Sequence, residues 1–81
     1  MSKTEKLLEK VMSGRSDGSF PFADLCRLLQ DLGYTSRHRG GSHIIFQRGA
    51  SFLNLQSDGS KAKSYQVRQV REELKKQNIG L

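Results

Sequence analysis

The chain lacks most of the residues that mark specialised protein classes. It has one cysteine, Cys26, one proline and no tryptophan among its 81 residues. A single thiol makes no internal disulfide and, without clustered partners, no zinc site, so we expect neither a disulfide scaffold nor a metal centre. We assign Cys26 to the core as a small apolar residue.

Long apolar runs are also missing. No segment approaches the roughly 20 apolar residues that a transmembrane helix needs. The N-terminus, MSKTEKLLEK, is amphipathic and charged and lacks the apolar stretch of a secretory signal. These features predict a cytoplasmic protein with no membrane span. A chain this short also buries only a thin core, so we expect two packed layers, no deep cavity and no cofactor.

Positive charge is present in excess and is unevenly distributed. The formal net charge is +6, from 14 Lys and Arg against 8 Asp and Glu. Seven of the bases and only one acid, Asp58, lie between residues 34 and 71, whereas the rest of the chain is neutral. The net charge therefore belongs to one central segment, as binding to a polyanion requires. The alternative is a basic surface that only keeps the protein soluble.

The N-terminal segment predicts a short helix followed by a linker. Ser2 and Glu5 have the spacing of a capping box, and an apolar stripe follows on one side. The next residues, SGRSDGS, are small, polar and glycine-bearing, which is typical of a connection. We therefore expect an N-terminal helix and linker at residues 1–19 and the main body at residues 20–81, within one domain overall.

Two further helices are indicated in the main body. The segment FPFADLCRLLQDLGY repeats its apolar residues at spacings of three and four, and Gly33 follows as a helix-ending residue without a Cβ. The segment SYQVRQVREELKKQN has the same periodicity. The residues expected to form the two apolar stripes are Phe22, Leu25, Leu29, Leu32, Val67, Val70 and Leu74.

Between these helices the periodicity becomes that of strands. YTSRHR, SHIIFQR and SFLNLQ are rich in β-branched and aromatic residues and are separated by glycine-containing turns. They predict a three-stranded antiparallel meander, with the polar SDGSKAK as the connection to the last helix. The expected fold is α+β: helix, three-stranded sheet and helix after an extra N-terminal helix, with one sheet face left open. This layout resembles the double-stranded-RNA-binding domain.

Strand alternation assigns the side chains of the sheet to its two faces. Phe46 and the leucines of SFLNLQ belong in the core, so the residues beside them in sequence point to the open face. We expect Phe52 either to pack against the N-terminal helix or to stack on a base. The residues expected on the open face are His43, Ile45, Gln47, Phe52, Asn54 and Gln56.

The most unusual segment runs from Arg39 to His43. Its two glycines, Gly40 and Gly41, permit a tight turn and a close approach of a ligand to the backbone. A histidine takes and gives a proton near neutral pH, and nearby arginines neutralise a phosphate whose charge grows in the transition state. Because RNA supplies its own 2′-hydroxyl as nucleophile, one imidazole and a few cations suffice for cleavage without a metal. The alternative for a lone histidine is an ordinary surface residue on a strand edge, which is our interpretation of His38.

The run Arg39-Gly40-Gly41-Ser42-His43-Ile44-Ile45-Phe46, with LLQDLGY before it and SYQVRQVREEL after it, resembles the HicA-type toxins, the small mRNA interferases of bacterial toxin-antitoxin pairs. The resemblance covers residues 20–81. It implies that His43 is the catalytic residue and Gly41 the glycine of the family motif. It also implies RNA cleavage without an essential metal, growth arrest, and silencing by a HicB-type antitoxin that covers the active site.

The chain departs from this family in two ways. Many members have a second histidine directly after the first, where this chain has Ile44. The N-terminal segment is also longer than in the shortest members. The expected cleavage chemistry needs only one imidazole.

We therefore predict an endoribonuclease in which His43 acts as general acid or base. Ser42 and the backbone of Gly40 and Gly41 are expected to shape the phosphate pocket. The alternatives are a non-catalytic RNA-binding module that uses the same basic segment, and a protein-interaction module for an acidic partner. The cations expected to hold the RNA backbone are Arg37, Arg39, Lys61 and Lys63.

Overall fold

A computed structural model of the chain describes residues 2–41 and 43–79. These residues form three α-helices and a four-stranded antiparallel sheet, which confirms the α+β class. None of the helices in the described residues is long and apolar enough to cross a membrane. The elements in chain order are α1 (Lys3–Ser13), α2 (Phe22–Asp31), β1 (Thr35–His38), β2 (His43–Arg48), β3 (Ser51–Asp58), β4 (Lys61–Ala62) and α3 (Ser64–Lys76).

Helix α1 begins at the predicted cap and packs into the common core. The Ser2 hydroxyl accepts a hydrogen bond from the Glu5 backbone N–H at 3.1 Å, and Gly14 ends the helix with a φ of 72°. Leu7 and Val11 are buried in the same cluster as the residues of the sheet. The predicted linker contains a short 3₁₀ turn at Asp17–Ser19 that packs against α3.

Helix α2 buries a slightly different stripe from the predicted one. Leu25 and Leu29 are fully buried as expected, and Leu28 is fully buried between them. Phe22 and Leu32, at the two ends of the helix, are only partly buried because fewer neighbours cover a helix end. Gly33 follows with a φ of 95°, so the predicted helix end is confirmed.

The prediction of a three-stranded sheet was one strand short. The strand order is β1-β2-β3-β4, and the two-residue β4 pairs with Ser57 and Asp58 at the end of β3. Gly59, with a φ of 63°, allows the tight reversal between the two strands. The backbone N–H of Ala62 also donates to the Phe20 carbonyl at 2.8 Å, which connects β4 to the start of α2.

The two faces of the sheet follow the predicted alternation. In β3 the residues Ser51, Leu53 and Leu55 are buried, whereas Phe52 and Asn54 are exposed. All three helices contribute to the core on the buried side, and the other side carries no helix of the described residues. The buried apolar residues are Leu7, Val11, Phe20, Leu25, Leu28, Leu29, Tyr34, Phe46, Leu53, Leu55, Ala62, Val67, Val70 and Leu74.

A buried polar chain ties the start of β3 to α3. The Tyr34 hydroxyl lies 2.7 Å from the Ser51 hydroxyl, and Ser51 donates to a Glu73 carboxylate oxygen at 2.7 Å. Because Ser51 donates its only proton to Glu73, the Tyr34 hydroxyl is the donor in the first bond. These two hydrogen bonds fix the position of α3 beside β3.

Candidate nucleic-acid interface

His43 opens β2 and is exposed on the sheet face opposite the core. A turn fixes its backbone: its N–H donates to the Gly40 carbonyl at 3.3 Å, and its carbonyl accepts from the Arg39 N–H at 3.0 Å. Gly40 and Gly41 have φ values of 49° and 56°, in the left-handed region that favours glycine. Among the described residues, and leaving out its neighbours in the chain, no atom lies within 4 Å of where a Cβ would stand on either glycine.

The predicted pocket residue Ser42 lies outside the described residues. The two glycines before it and His43 after it are where the sequence places them, on the turn that enters β2. This turn presents backbone and imidazole on the same exposed corner of the sheet. A bulky ligand therefore has access to both.

The residue directly across the sheet from His43 is Gln56 of β3. Opposite residues in an antiparallel pair have neighbouring side chains, roughly 5 Å apart at Cβ. The backbone N–H of Gln56 donates to the side-chain oxygen of the buried Gln66 at 2.9 Å. Helix α3 thus holds the strand position that faces the imidazole.

Lys63 is brought to the same place by the junction of β4 and α3. Its ammonium donates to the side-chain oxygen of Gln56 at 3.0 Å. The sequence placed Lys63 in a loop, but it is the residue that precedes the first turn of α3 and is half-buried. His43, Gln56 and Lys63 therefore form a row across the open face, with a cation at its end.

The two arginines of the first hairpin lie on the other side of His43. Arg37 of β1 is opposite Ile45, and Arg39 follows the end of β1 and hydrogen-bonds the backbone of His43. Alternation puts both on the face of His43. His38 is opposite Ile44 and has the other parity, which agrees with its interpretation as an ordinary edge residue.

Lys61 is farther from the imidazole than the other predicted cations. It lies in β4 opposite Asp58, two residues beyond Gln56 along β3, or about 7 Å. Its strand partner Asp58 is an acid, although the two form no ion pair among the described residues. The structure thus groups Arg37, Arg39 and Lys63 around His43 and leaves Lys61 at the margin.

Within residues 2–41 and 43–79, no acid forms an ion pair with the cations around His43. The ion pairs among the described residues join Arg27 to Asp31, Arg71 to Asp17 and Lys75 to Glu72. No pair in that part of the chain involves Arg37, Arg39 or Lys63. The face of His43 therefore carries free positive charge, which attracts a phosphate backbone.

The two apolar residues expected on this face differ in exposure. Ile45 is half-buried between its strand neighbours Arg37 and Asn54. Phe52 is 55% exposed, so its expected packing against the N-terminal helix was wrong. Helix α1 packs against α2 and α3 on the opposite side of the molecule, out of reach of the open face.

Gln56 is the site residue that sequence reasoning missed. Alternation assigned it to the open face, but only the strand register places it opposite His43, and only the start of α3 brings Lys63 to it. The available signal was the two-residue turn at Gly49-Ala50, which determines the register of β2 and β3.

Compared with protein-family models, curated proteins and solved structures, the chain matches none.

Proposed function

We propose that this chain is a metal-independent endoribonuclease of the HicA type that cleaves mRNA on the open face of a double-stranded-RNA-binding-domain-like fold. In this proposal it is the toxin of a bacterial toxin-antitoxin pair, acts in the cytoplasm, and is silenced by a HicB-type antitoxin that covers His43. The observation that carries the proposal is the exposed His43 in a row with Gln56 and Lys63, flanked by Arg37 and Arg39, which form no ion pair within the described part of the chain.

The proposed reaction is transesterification within the RNA. The His43 imidazole removes the proton from a ribose 2′-hydroxyl, and the 2′-oxygen attacks the adjacent phosphorus. The bond from phosphorus to the 5′-oxygen breaks, and that oxygen takes the proton from the imidazolium, which returns His43 to its neutral form. The products are a 2′,3′-cyclic phosphate and a free 5′-hydroxyl.

The cations and the glycine turn stabilise the charge that develops on the phosphate. Lys63 and Arg39 approach the phosphate from two sides of His43, and the turn at Gly40 and Gly41 lets the backbone come close to it. Arg37, farther along β1, is placed to hold the next phosphate of the strand. Since one imidazole serves both proton transfers, Ile44 in place of a second histidine does not stop the reaction.

The test is cleavage of a long, end-labelled RNA in excess EDTA. Wild type and the variants His43→Ala and His38→Ala are compared at equal concentration, with RNA affinity measured in parallel. We expect wild type and His38→Ala to cut, and His43→Ala to lose at least about a hundredfold in rate while still binding RNA, as for loss of a general base. The fragments should end in 2′,3′-cyclic phosphates.

His38→Ala is the matched control because it removes the other histidine of the same hairpin, and strand alternation puts that histidine on the sheet face opposite to that of His43. If wild type shifts RNA on a gel and leaves it intact, the chain is a non-catalytic RNA-binding module and the proposed reaction is refuted. If cutting occurs but His43→Ala cuts equally well, the proposed site is refuted. Binding to RNA that does not weaken with salt would contradict both, because phosphate contacts release counterions.

A further inference from the structure

The outer edge of β3 is open over part of its length. Along β2 the backbone groups of His43 point towards β1, since its carbonyl accepts from Arg39. Alternation then turns the groups of Ile44, Phe46 and Arg48 towards β3. Their partners in β3 are Leu55, Leu53 and Ser51, so the intervening residues Phe52, Asn54 and Gln56 direct their N–H and C=O groups to the outer edge.

Hydrogen bonds between the described residues occupy only the far end of this edge. Strand β4 pairs with Ser57 and Asp58, and Gln66 accepts from the N–H of Gln56 at 2.9 Å. No backbone or side-chain hydrogen bond of the described residues reaches the outward groups of Phe52 or Asn54. Two donors and two acceptors in a row are therefore free to pair with another strand.

Helix α3 turns this edge into a groove. The edge groove has a volume of about 570 Å³ and lies between Phe52 to Asn54 on one side and Tyr65, Arg68, Glu72 and Lys76 on the other. From Tyr65 to Lys76 the helix runs about 16 Å at roughly 1.5 Å per residue. An extended chain at about 3.3 Å per residue would cover that length with about five residues.

The edge lacks the features that usually protect an open strand. Residues 51–56, SFLNLQ, contain no lysine, no other charge and no proline. The two large hydrophobic side chains most exposed among the described residues, Phe52 at 55% and Tyr65 at 51%, both line the groove. Unprotected strand edge and exposed aromatics together indicate a surface that is covered in use.

The groove and its immediate surroundings carry three cations, Arg68, Lys75 and Lys76, against two carboxylates, Glu72 and Glu73. Glu72 is paired with Lys75 at 3.5 Å, and Glu73 accepts hydrogen bonds from Ser51 at 2.7 Å and from Gln77 at 3.3 Å. Arg68 and Lys76 take part in none of the ion pairs among the described residues. With a net charge of +6 on the whole chain, an acidic occupant is favoured over a second copy.

We propose that the edge groove binds an extended, acidic segment of a protein partner, which adds to the sheet as a strand beside β3. The segment pairs with the backbone of Phe52 and Asn54. The segment residue opposite Leu53 points towards α3, and so do the segment residues two positions before and after it. These residues carry the acidic side chains that meet Arg68 and Lys76. The residues between them lie on the open face against Phe52 and are apolar. This binding does not depend on RNA cleavage.

The probe is a synthetic seven-residue peptide that alternates glutamate and valine, titrated into the ¹⁵N-labelled full chain. We expect the amide signals of Phe52 and Asn54 to shift and their hydrogen exchange to slow by about tenfold or more on saturation. The amide of Ile45, paired within the sheet, should be unaffected. A peptide with N-methylated backbone amides keeps charge and side chains but cannot pair, so it should not bind.

Two chain variants test the groove itself. Arg68→Glu should weaken binding about tenfold, whereas Arg15→Glu, the same charge change on the turn after α1, should have less than about a twofold effect. Asn54→Pro removes the outward donor and should abolish binding. Arg68→Glu keeps the test valid if the proline variant does not fold.

Three results would overturn the proposal. Equal binding of the N-methylated peptide would mean that no strand is added. If the edge amides became protected in the protein without peptide, and if this protection and the molar mass in solution both rose with protein concentration, the groove would belong to a second copy. No shift at millimolar peptide, or a shift produced only by RNA, would exclude an acidic segment as the occupant.

Discussion

Arg71 of α3 and Asp17 of the turn after α1 form a two-point ion pair, with Nη1 3.0 Å from Oδ1 and Nη2 3.0 Å from Oδ2. Arg71 also donates to the Val11 carbonyl in the last turn of α1 at 3.0 Å. A Cβ on Gly14 would lie 3.3 Å from Nη1, so the absence of a side chain there makes room for the guanidinium. One side chain thus attaches the N-terminal segment to the last helix.

This ion pair should contribute measurably to stability because it is largely shielded from water. The two side chains are 13% and 18% exposed, whereas those of Lys75 and Glu72 are 50% and 61% exposed. We expect Arg71→Ala to lower the free energy of unfolding by about 2 to 3 kcal/mol, because it leaves Asp17 without its partner. Glu72→Gln, on the same helix, should cost less than about 1 kcal/mol.

Urea unfolding of both variants measures the difference. The hydrogen bonds to Asp17 raise the pKa of Arg71 above its ordinary value. A raised pKa in a base gives stability that is present below the unfolded value and lost only above it, so the contribution of Arg71 should be constant between pH 5 and 9. Equal losses for the two variants would contradict the structural difference between the pairs.

The glycine turn before His43 gives a second prediction. Gly41 has a φ of 56°, and no atom of the described residues beyond its chain neighbours lies within 4 Å of a Cβ there, so a side chain meets backbone strain and no clash with them. Gly41→Ala should destabilise the fold by about 1 to 2 kcal/mol. Gly18 is equally uncrowded but has an ordinary φ, and Gly18→Ala should be neutral within about 0.5 kcal/mol.

Thermal or urea unfolding compares the two glycine variants directly. A neutral Gly41→Ala would show that the turn relaxes out of the left-handed region at little cost. If the proposed function is right, Gly41→Ala should also slow RNA cleavage, since His43 hydrogen-bonds back to this turn.

Cys26 gives a prediction about pH. Burial raises the pKa of its thiol to about 11, whereas a thiol in an unfolded chain has a pKa of about 8.5. The folded state therefore holds a proton that the unfolded state loses first, and stability should fall as the pH rises from about 8.5 to 11. Unfolding measured at pH 8 and pH 10.5 should show a larger loss for wild type than for Cys26→Ala, in which the thiol is absent. Parallel losses would mean that Cys26 does not sense the pH.

The sequence predicted the parts of the fold that long periodic patterns carry. The helix end at Gly33, and the burial of Val67 and Val70, follow from caps and spacing alone. Strand β4 was missed because Lys61 and Ala62 are too short a run to show alternation. Its place is determined by the turn at Gly59 and by pairing with β3, which only the folded chain provides.

The candidate site was predicted as a list of residues and not as an arrangement. Histidine, glycines and basic residues could be named from the chain, but their distances depend on strand register and on where α3 begins. Gln56 became part of the site through its partners His43 and Lys63, which are 13 and 7 residues away in sequence. Contacts of this kind carry no local signal, because a glutamine on an exposed strand face is ordinary.

The difference between Lys63 and Lys61 tests the arrangement around His43. Lys63 contacts Gln56 opposite the imidazole, whereas Lys61 lies opposite Asp58. If the proposed function is right, Lys63→Gln should reduce RNA cleavage about tenfold or more, and Lys61→Gln less than about threefold, because only the first removes charge beside the reacting phosphate.

Salt dependence separates positioning from simple attraction. If Lys63 contacts a phosphate, its loss should lower the slope of log affinity against log salt by about 0.7, the value for one contact to single-stranded nucleic acid. Lys61→Gln should leave the slope nearly unchanged. Affinity is measured by fluorescence anisotropy with proteins that also carry His43→Ala, so that the RNA stays intact during the titration. Equal effects of the two lysines on rate and slope would mean that the basic surface attracts RNA without placing it at His43.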